Sequence, residues 1–289
     1  MIKKFEEFVN ENFYNEHEDA DNSTYNYQPK TNEEFISLVN YLIEKRGYKA
    51  DLNDIDTSEI TKMESLFKKS KFNGDISQWD VSNVKDMSDM FESSYFTGDI
   101  SQWDVSNVEN MNSMFEHSDF TGDISQWDVS NVWNMNGMFA HSKFNGDISQ
   151  WDVSNVSEMN FMFGYSEFDG DISDWDVSNV NDMRDMFSHS KFNGYISNWD
   201  VSNVKDMSGM FAYSIFDGDI SQWDVSNVED MSHMFERSYF DGDISQWNLS
   251  NVENMSSMFA HSEFTEKDIL QWKNVSPDLV KMMMKEEQY

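Results

Sequence analysis

The sequence predicts a β-rich repeat solenoid of about eight full 24-residue turns, with degenerate end repeats and helical caps, and three observations carry this reading. The first is the period. From Phe72 onward a 24-residue unit recurs eight times, at 72–95, 96–119, 120–143, 144–167, 168–191, 192–215, 216–239 and 240–263, without a register slip. A fixed period of this length marks units that bury their apolar faces only against their neighbours. The second is the apolar spacing. Phe72, Ile76, Trp79, Val81, Val84, Met87, Met90 and Phe91 recur in every copy, with Leu249 the single replacement. That spacing matches neither a sustained helix nor a long alternating strand, and it predicts short strands and bends wound into a coil whose stacked backbones pair about 4.8 Å apart. The third is wear at both ends of the array, where a repeat must meet a cap.

The elements follow in chain order. Phe5, Phe8, Val9 and Phe13 stand at helical spacing within residues 1–16, and the polar run 17–30 reads as a linker. Thr31 and Glu34 form a capping box before Phe35, Leu38, Val39, Leu42 and Ile43, which predicts an amphipathic helix ended by Gly47. Residues 48–71 align as a worn first repeat, with Tyr48 under Phe72, Leu52 under Ile76, Ile55 under Trp79, Ile60 under Val84, Met63 under Met87 and Phe67 under Phe91. A degraded ninth copy starts at Phe264 and gains one residue before Trp272. Ser276-Pro277-Asp278 then opens a closing helix carrying Leu279, Val280 and Met283. The expected organisation is a helical segment and cap at 1–47, the repeat body at 48–275 and a capping helix at 276–289.

Within the repeat, the sixteen methionines beside the phenylalanines read as core, where a flexible thioether fills gaps and touches rings. Gly74 and its equivalents read as positive-φ turn residues. The Ser82 and Ser94 types read as inward hydroxyls at corners. Asn83, Asn107, Asn131, Asn155, Asn179, Asn203, Asn227 and Asn251 form an unbroken row, and an amide's paired donors and acceptors suit a ladder that satisfies both its own members and the bend backbone. The Asp75 and Asp80 rows read as Asx-turn caps. The alternative for Asp80, Asp104 and Asp128 is a structural cation, Ca²⁺ above all, since it takes several oxygen ligands.

Composition excludes several function classes. Lys plus Arg number 20 against 54 Asp plus Glu, for a formal net charge of −34. Such a surface disfavours direct contact with nucleic acid or anionic lipid and admits basic proteins, cations or polyanion mimicry. The absence of cysteine removes disulfides and thiol chemistry. The N-terminal residues lack an apolar core for a secretory signal, and no window approaches the length of a membrane span. There is no phosphate loop, nucleophile elbow or HExxH motif, so the expectation is a non-enzymatic protein that needs no cofactor.

The unit Phe-Asn-Gly-Asp-Ile-Ser-Gln-Trp-Asp-Val-Ser-Asn-Val-x-x-Met-x-x-Met-Phe resembles the repeats of BspA-type leucine-rich repeat surface proteins, over roughly residues 48–275. That resemblance implies a right-handed, leucine-rich-repeat-like coil used in adhesion or protein recognition. This repeat is shorter than the family's usual one, and the family's signal peptide, lipobox and wall anchor are not found. The start Lys-Lys-Phe-Glu-Glu-Phe-Val-Asn-Glu-Asn also resembles the N-termini of some tailed-phage structural proteins. A cytoplasmic or phage-associated location is therefore expected, unless the chain is exported by another route.

Information in so regular a chain sits where the copies differ. Ser93, His117, His141, Tyr165, His189, Tyr213, Arg237 and His261 occupy one row, and seven of the eight are large and able to stack or hydrogen-bond. Stacked, they would form one lateral stripe, which is the candidate contact surface for a protein or glycan. The competing reading has the rings merely covering the adjacent coil. Trp133 and Phe161 break otherwise polar positions and are further candidate anchors. The rival functions are an acidic decoy that imitates nucleic acid and a structural spacer or phage virion component. Oligomeric state is not legible.

Overall fold

The structure is a computed structural model that describes residues 25–265, 269–270, 272 and 276–285. The helical spacing read at 1–16 lies outside the described residues. Helix α1 (Asn32–Arg46) forms where the capping box predicts it: the Thr31 hydroxyl accepts from the Glu34 amide, and Gly47 ends the helix at φ 88°. The Glu34 carboxylate reaches back to the Lys30 amide at 2.8 Å. Acidic Glu33 and Glu34 fill the first turn and basic Lys45 and Arg46 the last, matching the helix dipole. Its buried face, Phe35, Leu38, Val39 and Leu42, closes one end of the repeat core, with Phe35 meeting Trp79 edge-on at 5.2 Å.

Residues 25–30 are not the linker that their polarity suggests. The Asn26 and Tyr27 amides both donate to the Asp54 carbonyl, Tyr27 pairs with Ile55 in a parallel bridge, and Tyr27 is buried. Arg46 grips Asp54 with two hydrogen bonds, of 2.9 and 2.8 Å, fastening α1 to this edge.

The β-rich solenoid is overturned. Among the described residues there is no β-strand, only isolated parallel bridges, eight of which link one residue per copy from Lys62↔Asp86 to Asp230↔Asn254. The leucine-rich-repeat-like coil falls with it, because that pattern needs a strand in each repeat. The reason lies in the backbone after the bridge. The amides of Met87, Asp89, Phe91 and Ser93 donate to Asn110, Asn112, Met114 and Glu116 of the next copy, at 2.7–3.0 Å. The amides between them turn inward on their own copy: Met90 donates to Met87, Glu92 to Asp89 and Ser94 to Phe91. Every second N–H is thus spent on a local turn. Two columns, Asp89-type and Ser93-type, sit at positive φ, which no extended strand passes through. The copies stack, but as turns.

The core matches the apolar rows. Phe72, Val84, Met87, Met90 and Phe91 and most of their equivalents are fully buried. One phenylalanine column stacks at 6.4 Å (Phe72–Phe96, Phe96–Phe120) and a second at 5.6–5.8 Å (Phe91–Phe115, Phe115–Phe139), with the two columns 4.5 Å apart at Phe91–Phe96. Each repeat tryptophan donates its indole N–H to a carbonyl of the preceding copy, as Trp103 does to Ile76 at 3.2 Å. The buried ring thereby keeps its one polar atom satisfied. In the worn copy Leu52, Ile55, Ile60, Met63 and Phe67 are buried, whereas Tyr48, set under Phe72 by the period, is exposed.

Gly74 and its equivalents do not supply positive φ. Among described glycines only Gly47, Gly137 and Gly209 lie there. The conserved glycine within the repeat makes room instead. A Cβ at Gly146 would lie 2.8 Å from the Phe144 ring, which is locked in the buried stack. Gly146→Ala is therefore expected to cost about 1–3 kcal/mol through overpacking. Chemical denaturation would measure it, and an unchanged midpoint would contradict the steric account.

The open end of the stack is closed by α2 (Pro277–Met283), capped by Ser276 and buried through Val280 and Met283. Amides of Ser257 and Phe259, which in earlier copies would reach the next repeat, donate to the Met282 and Met283 carbonyls at 3.0 and 2.9 Å.

Candidate functional site

The variable row becomes a single stack of rings. His117–His141, His141–Tyr165, Tyr165–His189 and His189–Tyr213 have centroids 4.1, 4.4, 4.0 and 4.2 Å apart, with planes within 12° of parallel. The Arg237 guanidinium covers the last ring, 5.5 Å from the Tyr213 centroid. His261 follows in the same column at φ 58°. The stripe faces outward, with Tyr165 45% and Tyr213 38% exposed. Burial against neighbouring rings is the first cause holding the His141 and His189 imidazoles below the ordinary histidine range. The charge of His117 lowers His141 further and that of His141 lowers His189, while Glu116 and Glu236 pull the other way more weakly. The stack thus favours neutral rings.

The backbone beneath the stripe is strained. Ser93, His117, His141, Tyr165, His189, Tyr213, Arg237 and His261 all take φ between 51° and 58°. Glycine or asparagine suits that region best, histidine tolerates it, and tyrosine and arginine do so poorly, at about 1–2 kcal/mol per residue. The amide of each stripe residue from Ser93 to Arg237 donates to the next copy, which holds the conformation in place.

Beside the stripe runs the second positive-φ column, with Asp89, Ser113, Gly137, Phe161, Asp185, Gly209, His233 and Ser257. Phe161 joins the stripe, edge-on to His141 at 5.7 Å and to Tyr165 at 6.1 Å, its ring lying over Gly164, where a Cβ would sit 2.4 Å from it. Where Gly209 and Ala212 coincide, the surface opens into a groove of 480 Å³ between the stripe and the column of Asp185 and His233. Asp185 leans across Gly209, since a Cβ there would fall 2.1 Å from its carboxylate oxygen. Burial pushes the Asp185 carboxyl above the usual range. Glu236 closes one end, accepting from the Tyr213 hydroxyl at 3.2 Å and pairing with His233 Nδ1 at 2.8 Å.

The asparagine row is a ladder, built differently from the expected one. Asn83 Nδ2 donates to the Ser58 carbonyl at 2.8 Å, Asn107 to Ser82, Asn131 to Ser106, Asn155 to Ser130, Asn179 to Ser154, Asn203 to Ser178, Asn227 to Ser202 and Asn251 to Ser226. These amides staple the backbone of one copy to the next. The Asp rows form Asx turns. Oδ1 of Asp80, Asp104 and Asp128 accepts from its own serine amide at 3.0–3.1 Å and from that serine's hydroxyl at 2.6 Å. The Ser82 type therefore points to its aspartate rather than inward, while the Ser94 type is buried and accepts from the Phe96 amide. Among the described residues no group of three or more His, Cys, Asp or Glu side chains is placed to hold a metal ion. No described helix is long and apolar enough to cross a membrane.

Four overlapping stretches, residues 36–142, 96–193, 117–214 and 188–288, match the family described as "Mycoplasma protein of unknown function, DUF285". The chain belongs to this family. The overlapping matches, each running across several copies, mark it as a repeat protein. No curated protein and no solved structure matches it.

Within this DUF285 array, the stripe and Phe161 come together and Trp133 does not. Trp133 is exposed in the column of Glu109 and Ser157, where its amide donates to the Glu109 carbonyl. Lys205 and Glu229 of that column border Asn203 and Asn227, which sets it on the asparagine edge. Asp185, His233 and Glu236 had no sequence signal of their own. The available hint was the mixed character of the Asp89-type row, which runs from aspartate through glycine to phenylalanine and histidine.

Proposed function

We propose that this protein is a non-enzymatic binding module that engages a protein or glycan through the lateral stripe of stacked rings. The observation that carries the reading is the five-ring stack from His117 to Tyr213, presented outward from a backbone that would be less strained with glycine. Flat, pre-ordered aromatic surface loses little side-chain entropy on binding, and aromatic and arginine side chains are enriched among binding anchors. The resemblance of the repeat to BspA-type surface proteins supports an adhesive role.

The test is affinity capture from host cytosol and envelope fractions at low and high salt. The wild type is compared with a variant carrying serine at His117, His141, Tyr165 and Tyr213, its fold checked by thermal melting. Capture that persists at high salt and falls at least tenfold in the variant supports the stripe. Undiminished capture by the folded variant rejects it. A second reading, the acidic decoy, is favoured by the charge of −34. It predicts basic nucleic-acid proteins that elute with salt and ignore the stripe.

A further inference from the structure

We infer that Asn145 and Asn193 are sites of spontaneous covalent modification, where the following glycine and water convert the side-chain amide to a carboxylate with loss of ammonia. The inference goes beyond the stripe reading and stands independently of it. It rests on a contrast among four Asn-Gly steps that residue order alone ranks alike: Asn73-Gly74, Asn136-Gly137, Asn145-Gly146 and Asn193-Gly194.

The chemistry is intramolecular. The glycine nitrogen gives its proton to hydroxide and attacks the asparagine Cγ. The Cγ–Nδ2 bond breaks, Nδ2 takes a proton from water and leaves as ammonia, and a succinimide ring closes. Water then opens the ring. Breaking the new Cγ–N bond gives aspartate; breaking the original peptide bond gives isoaspartate, whose main chain runs through the side chain. No oxidant or reductant is involved. Glycine offers the least hindered nucleophile because it carries no Cβ. Nor can these two glycines be exchanged for something slower, since a Cβ at Gly146 or Gly194 would lie 2.8 or 2.7 Å from the buried ring of Phe144 or Phe192.

The fold leaves these two steps open. Asn145 and Asn193 are exposed. Among the described residues neither Nδ2 has a hydrogen-bond partner, and no group accepts from the Gly146 or Gly194 amide. The departing nitrogen and the attacking one are both uncommitted. The Oδ1 atoms, by contrast, already accept from the Asp169 and Asp217 amides, each at 2.9 Å. An N–H aimed at that oxygen supports the negative charge that gathers on it during attack.

The other two steps are closed, each in its own way. Gly137 is buried, and its N–H is spent on the Asn160 carbonyl at 2.8 Å, so the nucleophile is held. Asn73 is half-buried and gripped at both ends of its amide: Nδ2 donates to Thr97 Oγ1 at 3.1 Å, and Oδ1 accepts from the Thr97 amide at 3.0 Å. There the departing nitrogen is tethered.

The main product suits the site. Asp169 stands in the same row between Asn145 and Asn193, and its Oδ1 accepts from the Asn193 amide at 3.0 Å, as the asparagines accept from their neighbours. Aspartate therefore keeps this ladder and adds one negative charge per site, whereas isoaspartate lengthens the main chain between stacked copies.

The experiment incubates the full chain in mildly alkaline buffer, with and without urea, and follows each Asn-Gly step by peptide mass spectrometry. Enzymatic methylation marks the isoaspartate fraction. In the folded chain Asn145 and Asn193 are expected to convert at least tenfold faster than Asn73 and Asn136, and in urea the four rates are expected to converge. Equal rates in the folded chain, Asn73 or Asn136 reacting first, or no reaction at Asn145 and Asn193 until urea is added would each overturn the proposal. Thr97→Val removes the hydroxyl that tethers Asn73 but keeps the backbone amide. It is expected to speed Asn73 several-fold, and an unchanged rate would overturn the account of protection. Asn145→Asp is expected to leave the melting midpoint where it is, and a clear fall would overturn the claim that the product keeps the ladder.

Discussion

Phe139→Ala is expected to destabilise the fold by about 3–5 kcal/mol, the usual range for a fully buried phenylalanine. Phe139 is wholly inaccessible. Its ring touches four others: Phe144 at 4.4 Å, Phe115 at 5.8 Å, Phe163 at 5.9 Å and Trp151 at 6.2 Å. The resulting cavity sits in the middle of the array, where both neighbouring copies depend on it. In a linear stack each unit is stabilised only by its neighbours, so a central defect weakens coupling between the two flanks. The expected melt is lowered by on the order of 10 °C and broadened, or resolved into two steps. Hydrogen exchange should accelerate first at the amides of Phe115 and Phe139, which donate to the Met138 and Met162 carbonyls across the two joints of this copy. A single sharp transition within a degree of wild type would show that the phenylalanine columns are not what joins the copies.

The second expected result concerns acid. Asp75, Asp99, Asp123, Asp147, Asp171, Asp219 and Asp243 all titrate below the ordinary aspartate value, because the amide of the serine two residues on, and next the serine itself or a neighbouring asparagine, hydrogen-bonds the ionised form. Like-charge repulsion along the row, as from Asp75 and Asp123 on Asp99, acts in the opposite direction and is the weaker influence. When the folded value lies below the unfolded one, stabilisation is complete above the unfolded value. It is lost as pH falls through the folded value, because the unfolded chain takes up protons first. The thermal midpoint should therefore fall steeply below about pH 4.

Relief of the general repulsion from 34 net negative charges works the other way, stabilising the fold as acid neutralises it. A variant with asparagine at all seven positions separates the two. Asparagine keeps the turn, as Asn248 does by accepting from the Ser250 amide at 3.2 Å. If the turns dominate, this variant loses less stability than wild type between about pH 5 and 3. If repulsion dominates, the order reverses, and the sign of the difference decides.

The core was readable because its chemistry repeats. Eight apolar positions recur with little substitution, and whatever backbone carries them, residues a fixed distance apart in every copy must share one interior. The capping signals at Thr31 and Ser276 were legible for a related reason: an N-cap is a contact across three residues, complete within the local chain.

The backbone was misread because its decisive feature leaves no mark in residue type. Positive φ is normally announced by glycine. Here the glycines of the Gly74 type are present for the ring beside them, while the positive-φ columns carry serine, aspartate, histidine, tyrosine, phenylalanine and arginine, with glycine only at Gly137 and Gly209. Those conformations are held by hydrogen bonds to a copy about 24 residues away, so the preference of the residue itself was overruled by its neighbour. The asparagine row was recognisable as a ladder, but its acceptors proved to be serine carbonyls of the preceding copy, and only the offset between stacked turns sets that pairing.

The groove lies furthest from what residue order conveys. Phe161, Asp185, Gly209 and His233 come from four successive copies, and no segment contains the site. Periodicity was enough to specify that copies stack and which side chains face inward, because burial of a repeated apolar set has one economical solution. Which outward columns adjoin, and where two small residues leave a gap between a carboxylate and a ring, depended on the sense and pitch of each turn. Those are set by hydrogen bonds between copies, which the linear order of residues does not contain.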